Sequence, residues 1–312
     1  MIDINGTTRV CGLIGNPVGH SISPVIHNSL ARLMDMNMVY TTFKVEKGDV
    51  VTAVNGAYAL NILGLNVTVP HKQAVMESLV DIDPLAKAIG AVNTLVRTDK
   101  GYKGYNTDIL GLERELIDEG VVLLGSRCVI LGAGGAARAI AFLCAKSGAK
   151  EIYMLNRTKE KAYDIAKAVN DYFGKECIKP MLISEYDKLE ADDYVVIQTT
   201  SVGLYPNVDD VVIDDEAFYK KVKVGVDIIY NPSETRFMKM CKNAGKPACN
   251  GLKMLLYQGV AAYELWNDVS VTKEQADKVY NKMKEELGIE YCTYWIYGKW
   301  KDDIWPLGFK TT

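Results

Sequence analysis

A strand-length apolar run, Cys128-Val129-Ile130-Leu131, leads straight into Gly132-Ala133-Gly134-Gly135-Ala136-Ala137, and a helical stretch follows to about residue 147. That order suits the pyrophosphate of a dinucleotide. Gly132 permits the tight turn, Gly134 lets the backbone approach the phosphates, and Ala137 replaces the third glycine where helix packs on sheet. Together with Ala133, Gly135 and Ala136 they form a loop whose phosphates would rest on the free N–H groups of the helix start. Further on, the run Glu151 to Leu155 ends in Asn156-Arg157-Thr158, with Lys161 one helical turn later. An NAD site normally places Asp or Glu at this strand end, against the ribose 2′-hydroxyl. Arg157 and Lys161 instead offer cationic donors suited to a 2′-phosphate. The chemistry implied is hydride transfer with a nicotinamide cofactor, NADP in preference to NAD. The plainer alternative is a Gly-rich turn that binds nothing, beside two solvated charges.

The first hundred or so residues carry four polar clusters: Gly15-Asn16-Pro17-Val18-Gly19-His20-Ser21-Ile22-Ser23-Pro24, Asn66-Val67-Thr68-Val69-Pro70-His71-Lys72, Gly90-Ala91-Val92-Asn93-Thr94 and Gly104-Tyr105-Asn106-Thr107-Asp108. Taken alone, Ser21 and Ser23 could cap the helix that begins at Pro24, and a helix start is itself an anion site. Asn66 and Asn93 alone read as turn or cap residues. A lone lysine such as Lys72 is usually a surface charge. Gln258 falls in a predicted helix over 252–266, where Leu252, Leu255, Leu256, Tyr263 and Trp266 recur at helical spacing, and by itself reads as that helix's solvent face. His20, His27 and His71 lack metal-ligand spacing and read as structural or hydrogen-bonding residues, so no metal is expected.

The elements that must hold these groups are apolar runs of strand length: Val10 to Ile14, Gly64 to Val69, Cys128 to Leu131, Ile152 to Leu155, Val195 to Ile197 and Val224 to Ile229. Helical stretches separate them, which implies an α/β fold with parallel sheets covered on both faces. Gly148 stands where a helix from 135 to 147 would end. A helix from Gly111 to Glu119, followed by a Gly-containing turn, makes a plausible connector between domains, with the boundary near residue 112. Acidic and basic residues are interleaved at a net charge of −3, so no basic field exists for a nucleic acid. No signal sequence or membrane-span run is present, and the expected location is the cytoplasm. Seven scattered cysteines, none in a C-x-x-C spacing, read as reduced and mostly buried thiols.

The four polar clusters, the Gly132 loop, Asn156-Arg157-Thr158, Thr200-Ser201-Val202-Gly203, Asp227-Ile228-Ile229-Tyr230-Asn231-Pro232 and Asn250-Gly251-Leu252-Lys253-Met254-Leu255 together resemble the shikimate dehydrogenase family. The likeness runs in one continuous order over roughly residues 8 to 288. It implies a two-domain α/β fold: a discontinuous substrate-binding domain at 1–112 and 252–288, and an inserted Rossmann-type NADP-binding domain at 113–251, with the cleft between them. It implies Lys72 and Asp108 as the catalytic pair. Ser21 and Ser23 would meet the substrate carboxylate with Thr68 nearby, Asn66, Asn93, Asp108 and Gln258 the ring hydroxyls, and Tyr230 would stand at the edge of the site. Thr200 and Gly251 join the residues on the cofactor side.

The activity implied is reversible NADPH-dependent reduction of 3-dehydroshikimate to shikimate in aromatic biosynthesis. The expected partner is that small molecule, with no nucleic acid or membrane, and a homodimer is left open. Rival readings are a quinate/shikimate dehydrogenase with relaxed NAD/NADP use, a folate-type dehydrogenase/cyclohydrolase and a non-catalytic dinucleotide-binding sensor. Asn156-Arg157-Thr158 counts against the first, Ser21/Ser23 against the second, and retention of Lys72 and Asp108 against the third. Beyond the resemblance, Tyr291, Tyr294, Trp295, Tyr297, Trp300, Trp305 and Phe309 crowd residues 289–312, a density that predicts a packed tail.

Overall fold

In a computed structural model of the protein, which describes residues 4–289, the apolar runs become two six-stranded sheets. The aromatic tail and Cys292 lie outside the described residues. The first sheet is built from β1 (Arg9–Gly15), β2 (Met38–Lys44), β3 (Gly64–Val67), β4 (Asp81–Ile82), β5 (Thr94–Thr98) and β6 (Gly101–Tyr105), ordered β2-β1-β3-β5-β6-β4. Its helices are α1 (Ser23–Leu33), α2 (Val50–Ala59) and α3 (Pro84–Ile89), and α4 (Thr107–Asp118) leaves it. The second sheet comprises β7 (Arg127–Leu131), β8 (Glu151–Asn156), β9 (Ile178–Leu182), β10 (Tyr194–Gln198), β11 (Val222–Asp227) and β12 (Ala248–Asn250) in the order β12-β11-β10-β7-β8-β9. Around it lie α5 (Gly135–Lys146), α6 (Lys159–Phe173), α7 (Glu216–Lys220) and α8 (Arg236–Asn243). The chain then returns through α9 (Leu252–Asn267) and α10 (Lys273–Glu286), whose Leu256, Val260, Tyr263 and Val279 share one buried cluster with Ile26, Leu30 and Tyr40 of the first sheet's layer.

The second sheet is parallel throughout, as continuous apolar strands between helical layers should be. The expectation of parallel pairing fails in the first sheet. There β5 runs antiparallel to both β3 and β6. Asp99-Lys100 makes a two-residue turn into Gly101, whose φ of 144° only glycine adopts readily, so β5 and β6 form a hairpin instead of being bridged by a helix. Two further boundaries move. Helix α4 begins at Thr107, not at Gly111, because the Asn106 side chain accepts the Asp108 N–H at 3.1 Å and caps it there. Strand β11 ends at Asp227, which leaves Ile228 and Ile229 in a turn. Among the described residues no helix is long and apolar enough to cross a membrane.

Helices α4 and α9 pack closely because position 111 is glycine. A Cβ there would come within 2.6 Å of the Met254 carbonyl oxygen and 2.8 Å of the Gln258 nitrogen. The contact aligns the first turn of α4, with Asp108, beside the middle of α9, with Gln258.

The core of the first layer holds a titratable ring. His27 of α1 is fully buried, its ring centroid 4.2 Å from that of Tyr40 and 5.0 Å from that of Trp266. Burial pushes its pKa down to about 3. The unfolded chain takes up a proton near 6.5 and the folded chain does not, so this stability is complete above about 6.5 and is lost as pH falls toward 3. A His27→Phe variant should therefore lose less unfolding free energy than the parent between pH 6.5 and 4, by on the order of 3 kcal/mol. Denaturant titrations at the two pH values measure it; equal losses would show that His27 does not titrate in the core.

Candidate active site

Lys72 follows a buried anchor. His71 is 1% exposed and its Nε2 lies 2.8 Å from the Val45 carbonyl oxygen, while the Lys72 carbonyl accepts the Val92 N–H at 2.8 Å. The His71 ring bond and the backbone bond at its own carbonyl thus fix where the lysine side chain starts. Its Nζ donates to Asp108 Oδ2 at 2.6 Å, and the other carboxylate oxygen accepts Asn93 Nδ2 at 2.8 Å. Asp108 sits in the first turn of α4, where the helix dipole favours a negative charge. The side chains are 31% and 19% exposed, so the pair is neither sealed in the core nor free in solvent.

The pair faces a cavity of about 410 Å³. Every substrate-side residue named from the sequence lines it: Ser21, Ser23, Asn66, Thr68, Lys72, Asn93, Asp108, Tyr230 and Gln258. Gly251, assigned from the resemblance to the cofactor side, borders the same space. The capping and binding readings of the serines coexist, with Ser21 serving the helix start. Ile22 is the N-cap of α1 and no side chain caps it, while Ser21 Oγ accepts the Ser23 N–H at 3.2 Å. Both hydroxyls remain on the cavity wall. Gln258 is not on a solvent face: it is 8% exposed, because α4 and the cavity occupy the side of α9 it presents. Burial pushes the Tyr230 hydroxyl above its usual range.

The cofactor loop lies at the carboxyl end of β7. Gly132 has φ 111°, and its N–H donates to the Leu155 carbonyl of β8 at 2.8 Å. The neighbouring strand β10 ends at Gln198 and is followed by Thr199 and Thr200, and the chain leaves β7 toward β8 on one side while β10 flanks it on the other. A crevice of this kind outside the strand ends is where an open α/β sheet binds nucleotides. The residues present fit a dinucleotide. No side chain caps the start of α5, and Cβ atoms added at Gly134 or Gly135 would meet nothing within 4 Å. Ala133 and Ala136 belong to the same turn. Asn156 ends β8 beside the loop, Thr158 is the N-cap of α6, and Arg157 and Lys161 are both exposed.

Sequence reasoning missed the supporting groups. Asp227 is fully buried, accepts Thr235 Oγ1 at 2.7 Å and the Ile229 N–H at 3.0 Å, and so holds the turn carrying Ile228 and Tyr230 into the cavity. Burial raises its carboxyl to about 6. Met254 and Leu255 add apolar wall, and their spacing with Gln258 along α9 is the signal that could have found them.

Residues 13–95 match the family described as "Shikimate dehydrogenase substrate binding domain", and residues 116–234 that described as "Shikimate / quinate 5-dehydrogenase". The chain is 41% identical to the shikimate dehydrogenase (NADP(+)) of Desulforamulus reducens over 281 residues, 89% of this chain and 97% of that protein. A crystal structure of a shikimate dehydrogenase in complex with NADP+ superposes with a TM-score of 0.82 at 38% identity, covering 91% of this chain and 97% of that one. The Listeria monocytogenes shikimate 5-dehydrogenase, solved with shikimate and NAD, gives a TM-score of 0.82 at 30% identity, over 92% and 99% of the two chains.

Proposed function

The chain belongs to the shikimate dehydrogenase family, and from that premise we propose that Lys72 and Asp108 carry the proton chemistry of a reversible, NADPH-dependent reduction of 3-dehydroshikimate to shikimate. One observation supports the assignment above others. The 2.6 Å Lys72–Asp108 pair opens onto the same cavity as Ser21 and Ser23, so a cation, a carboxylate and an anion-binding pair of hydroxyls converge on one small molecule. We place the substrate half at 1–112 and 252–288 and the cofactor half at 113–251.

NADPH, when bound, supplies the hydride, and this chain's residues do the rest. Ala133, Gly134, Gly135 and Ala136 would receive the pyrophosphate on backbone N–H groups beyond the turn that Gly132 makes, with Asn156, Arg157, Thr158 and Lys161 around the 2′-phosphate and Thr200 across the loop. Ser21 and Ser23 donate to the substrate carboxylate, with Thr68 beside them. Asn66, Asn93 and Gln258 engage ring hydroxyls, so an analogue lacking one leaves buried polar groups unpaired and is rejected. As charge grows on the carbonyl oxygen, the Lys72 ammonium stabilises it and delivers the proton. Asp108 orients the lysine and accepts from a substrate hydroxyl. In the reverse direction Lys72 takes the proton back.

Initial rates of shikimate-dependent NADP reduction test this, repeated with NAD and with quinate. The expected result is robust turnover with shikimate and NADP; no turnover with any pairing would overturn it. The second reading, relaxed NAD use, draws support from the NAD found in the Listeria monocytogenes relative. Arg157 and Lys161 argue for NADP. Arg157→Ala should weaken NADP by ~1–3 kcal/mol, typical of a lost charge-assisted bond, and leave NAD nearly unchanged. Equal losses for both cofactors in KM measurements would remove Arg157 from the 2′-phosphate site.

A further inference from the structure

We propose that Thr94, which does not line the cavity, is a positioning residue for substrate recognition: its hydroxyl passes to the Asn66 carboxamide the orientation that Asp108 and the Thr107 N–H impose on Asn93. The proposal rests on the reading of the pocket given above. It follows from counting protons along one chain of hydrogen bonds. Ionised Asp108, paired with Lys72, can only accept, so Asn93 must turn its NH₂ toward it, at 2.8 Å. Asn93 Oδ1 then faces the other way, where it takes the Thr107 N–H at 2.7 Å, the Thr107 hydroxyl at 3.1 Å and the Thr94 hydroxyl at 3.0 Å. The two threonine oxygens are themselves 3.0 Å apart.

Each threonine hydroxyl has one proton, and both are taken up within this group. Thr94 is therefore left as an acceptor toward Asn66, whose Nδ2 lies 3.1 Å away. Asn66 must present its NH₂ to Thr94 and its Oδ1 to the Tyr40 hydroxyl, which donates at 2.8 Å. Each group donates to the next without a break from Tyr40 through Asn66, Thr94 and Asn93 to Asp108, which also accepts from Lys72. Thr94 is fully buried and Tyr40 is 2% exposed, so water cannot substitute for either link. With both carboxamides fixed, the donor and acceptor pattern that the ring hydroxyls meet is fixed too. Without Thr94, the Asn66 NH₂ keeps only the long 3.4 Å bond to the Asn93 carbonyl oxygen, and the carboxamide is held less firmly against turning over.

Thr94→Val keeps the shape and deletes the hydroxyl; Thr94→Ser keeps the hydroxyl. In steady-state kinetics Thr94→Val is expected to raise the KM for shikimate about tenfold with kcat changed less than about threefold and the KM for NADP unchanged, as for a lost hydrogen bond that acts on binding. Thr94→Ser should recover most of the loss. Tyr40→Phe, which removes the donor at the far end, should raise the same KM about threefold and serves if Thr94→Val does not fold. Wild-type KM for shikimate in Thr94→Val, or a Thr94→Ser as impaired as Thr94→Val, would overturn the proposal. The reading beneath it is judged separately by the turnover of Lys72→Ala: a relay without effect beside an inactive Lys72→Ala sinks only Thr94.

Discussion

Lys72→Ala should lower kcat by roughly 10² to 10⁴, the span usual for a general acid, with a far smaller change in the KM for shikimate. The direction follows from when the contact is made. A ketone oxygen carries little charge before hydride arrives and nearly a full charge afterwards, so a donor placed there gains interaction energy only as the barrier is climbed. Lys72 is placed by the backbone bond at its own carbonyl and by the His71 ring bond, and its Nζ by Asp108 at 2.6 Å, so it does not have to be recruited by the substrate. Lys72→Met keeps length without charge and should be about as inactive. Asp108→Asn should alter both parameters, because the residue would bind a hydroxyl in ground and transition states alike and also orients the lysine. A Lys72→Ala enzyme with near-normal kcat and only a raised KM would make Lys72 a binding residue.

The cofactor half was the more legible part of the sequence because its signals are local. Strand, glycine turn and helix follow one another within Cys128 to Lys146, and the structure has them in that order. The substrate half depends on contacts far apart in sequence. Asn93 and Asp108 are read as separate polar clusters until the β5–β6 hairpin folds between them and brings their side chains within 2.8 Å. Asp99-Lys100-Gly101 is a turn signal, but the polar Gly104-to-Asp108 cluster overlaps the last two residues of β6 and masks the strand alternation that would reveal a hairpin. Within that cluster Asn106 caps α4, so the helix begins four residues before the Gly111 that its apolar pattern indicates. Gln258 misled by periodicity: α9 is buried on more than one face, and helical spacing distinguishes apolar from polar positions but not solvent from a polar cavity. Thr94 stands in the Gly90–Thr94 cluster, but its residue type and spacing gave it no role. Its role depends on the direction of four hydrogen bonds, which only the assembled site defines.

Substitution at the first loop glycine should be as damaging as loss of the lysine, and for a different reason. Gly132 has φ 111°, where a side chain costs about 1–3 kcal/mol, and its Cβ would fall 2.7 Å from Thr199 Oγ1 and 2.8 Å from Thr200 Cγ2. Neither neighbour can withdraw: Thr200 is held by its hydroxyl, which accepts the Val202 N–H at 3.1 Å. Thr199 is tied to the Leu131 carbonyl by its N–H at 2.9 Å and by its hydroxyl at 2.7 Å, and Gly132 itself is held by the Leu155 carbonyl at 2.8 Å. Overpacking such a site typically adds another 1–3 kcal/mol, so Gly132→Ala is expected to lose roughly 2–6 kcal/mol, divided between folding stability and cofactor affinity. Gly134 separates the two effects. Its backbone is extended and a Cβ there meets nothing within 4 Å, so Gly134→Ala leaves the fold intact and places a methyl group in the space the pyrophosphate would take. Gly132→Ala should lower the thermal midpoint and raise the KM for NADP by about two orders of magnitude. Gly134→Ala should raise that KM while keeping the parental midpoint. Thermal unfolding beside NADP kinetics on both variants gives the comparison. A Gly134→Ala protein that binds NADP normally would mean that the phosphates do not rest on this turn, and the loop would have to be read as a structural corner alone.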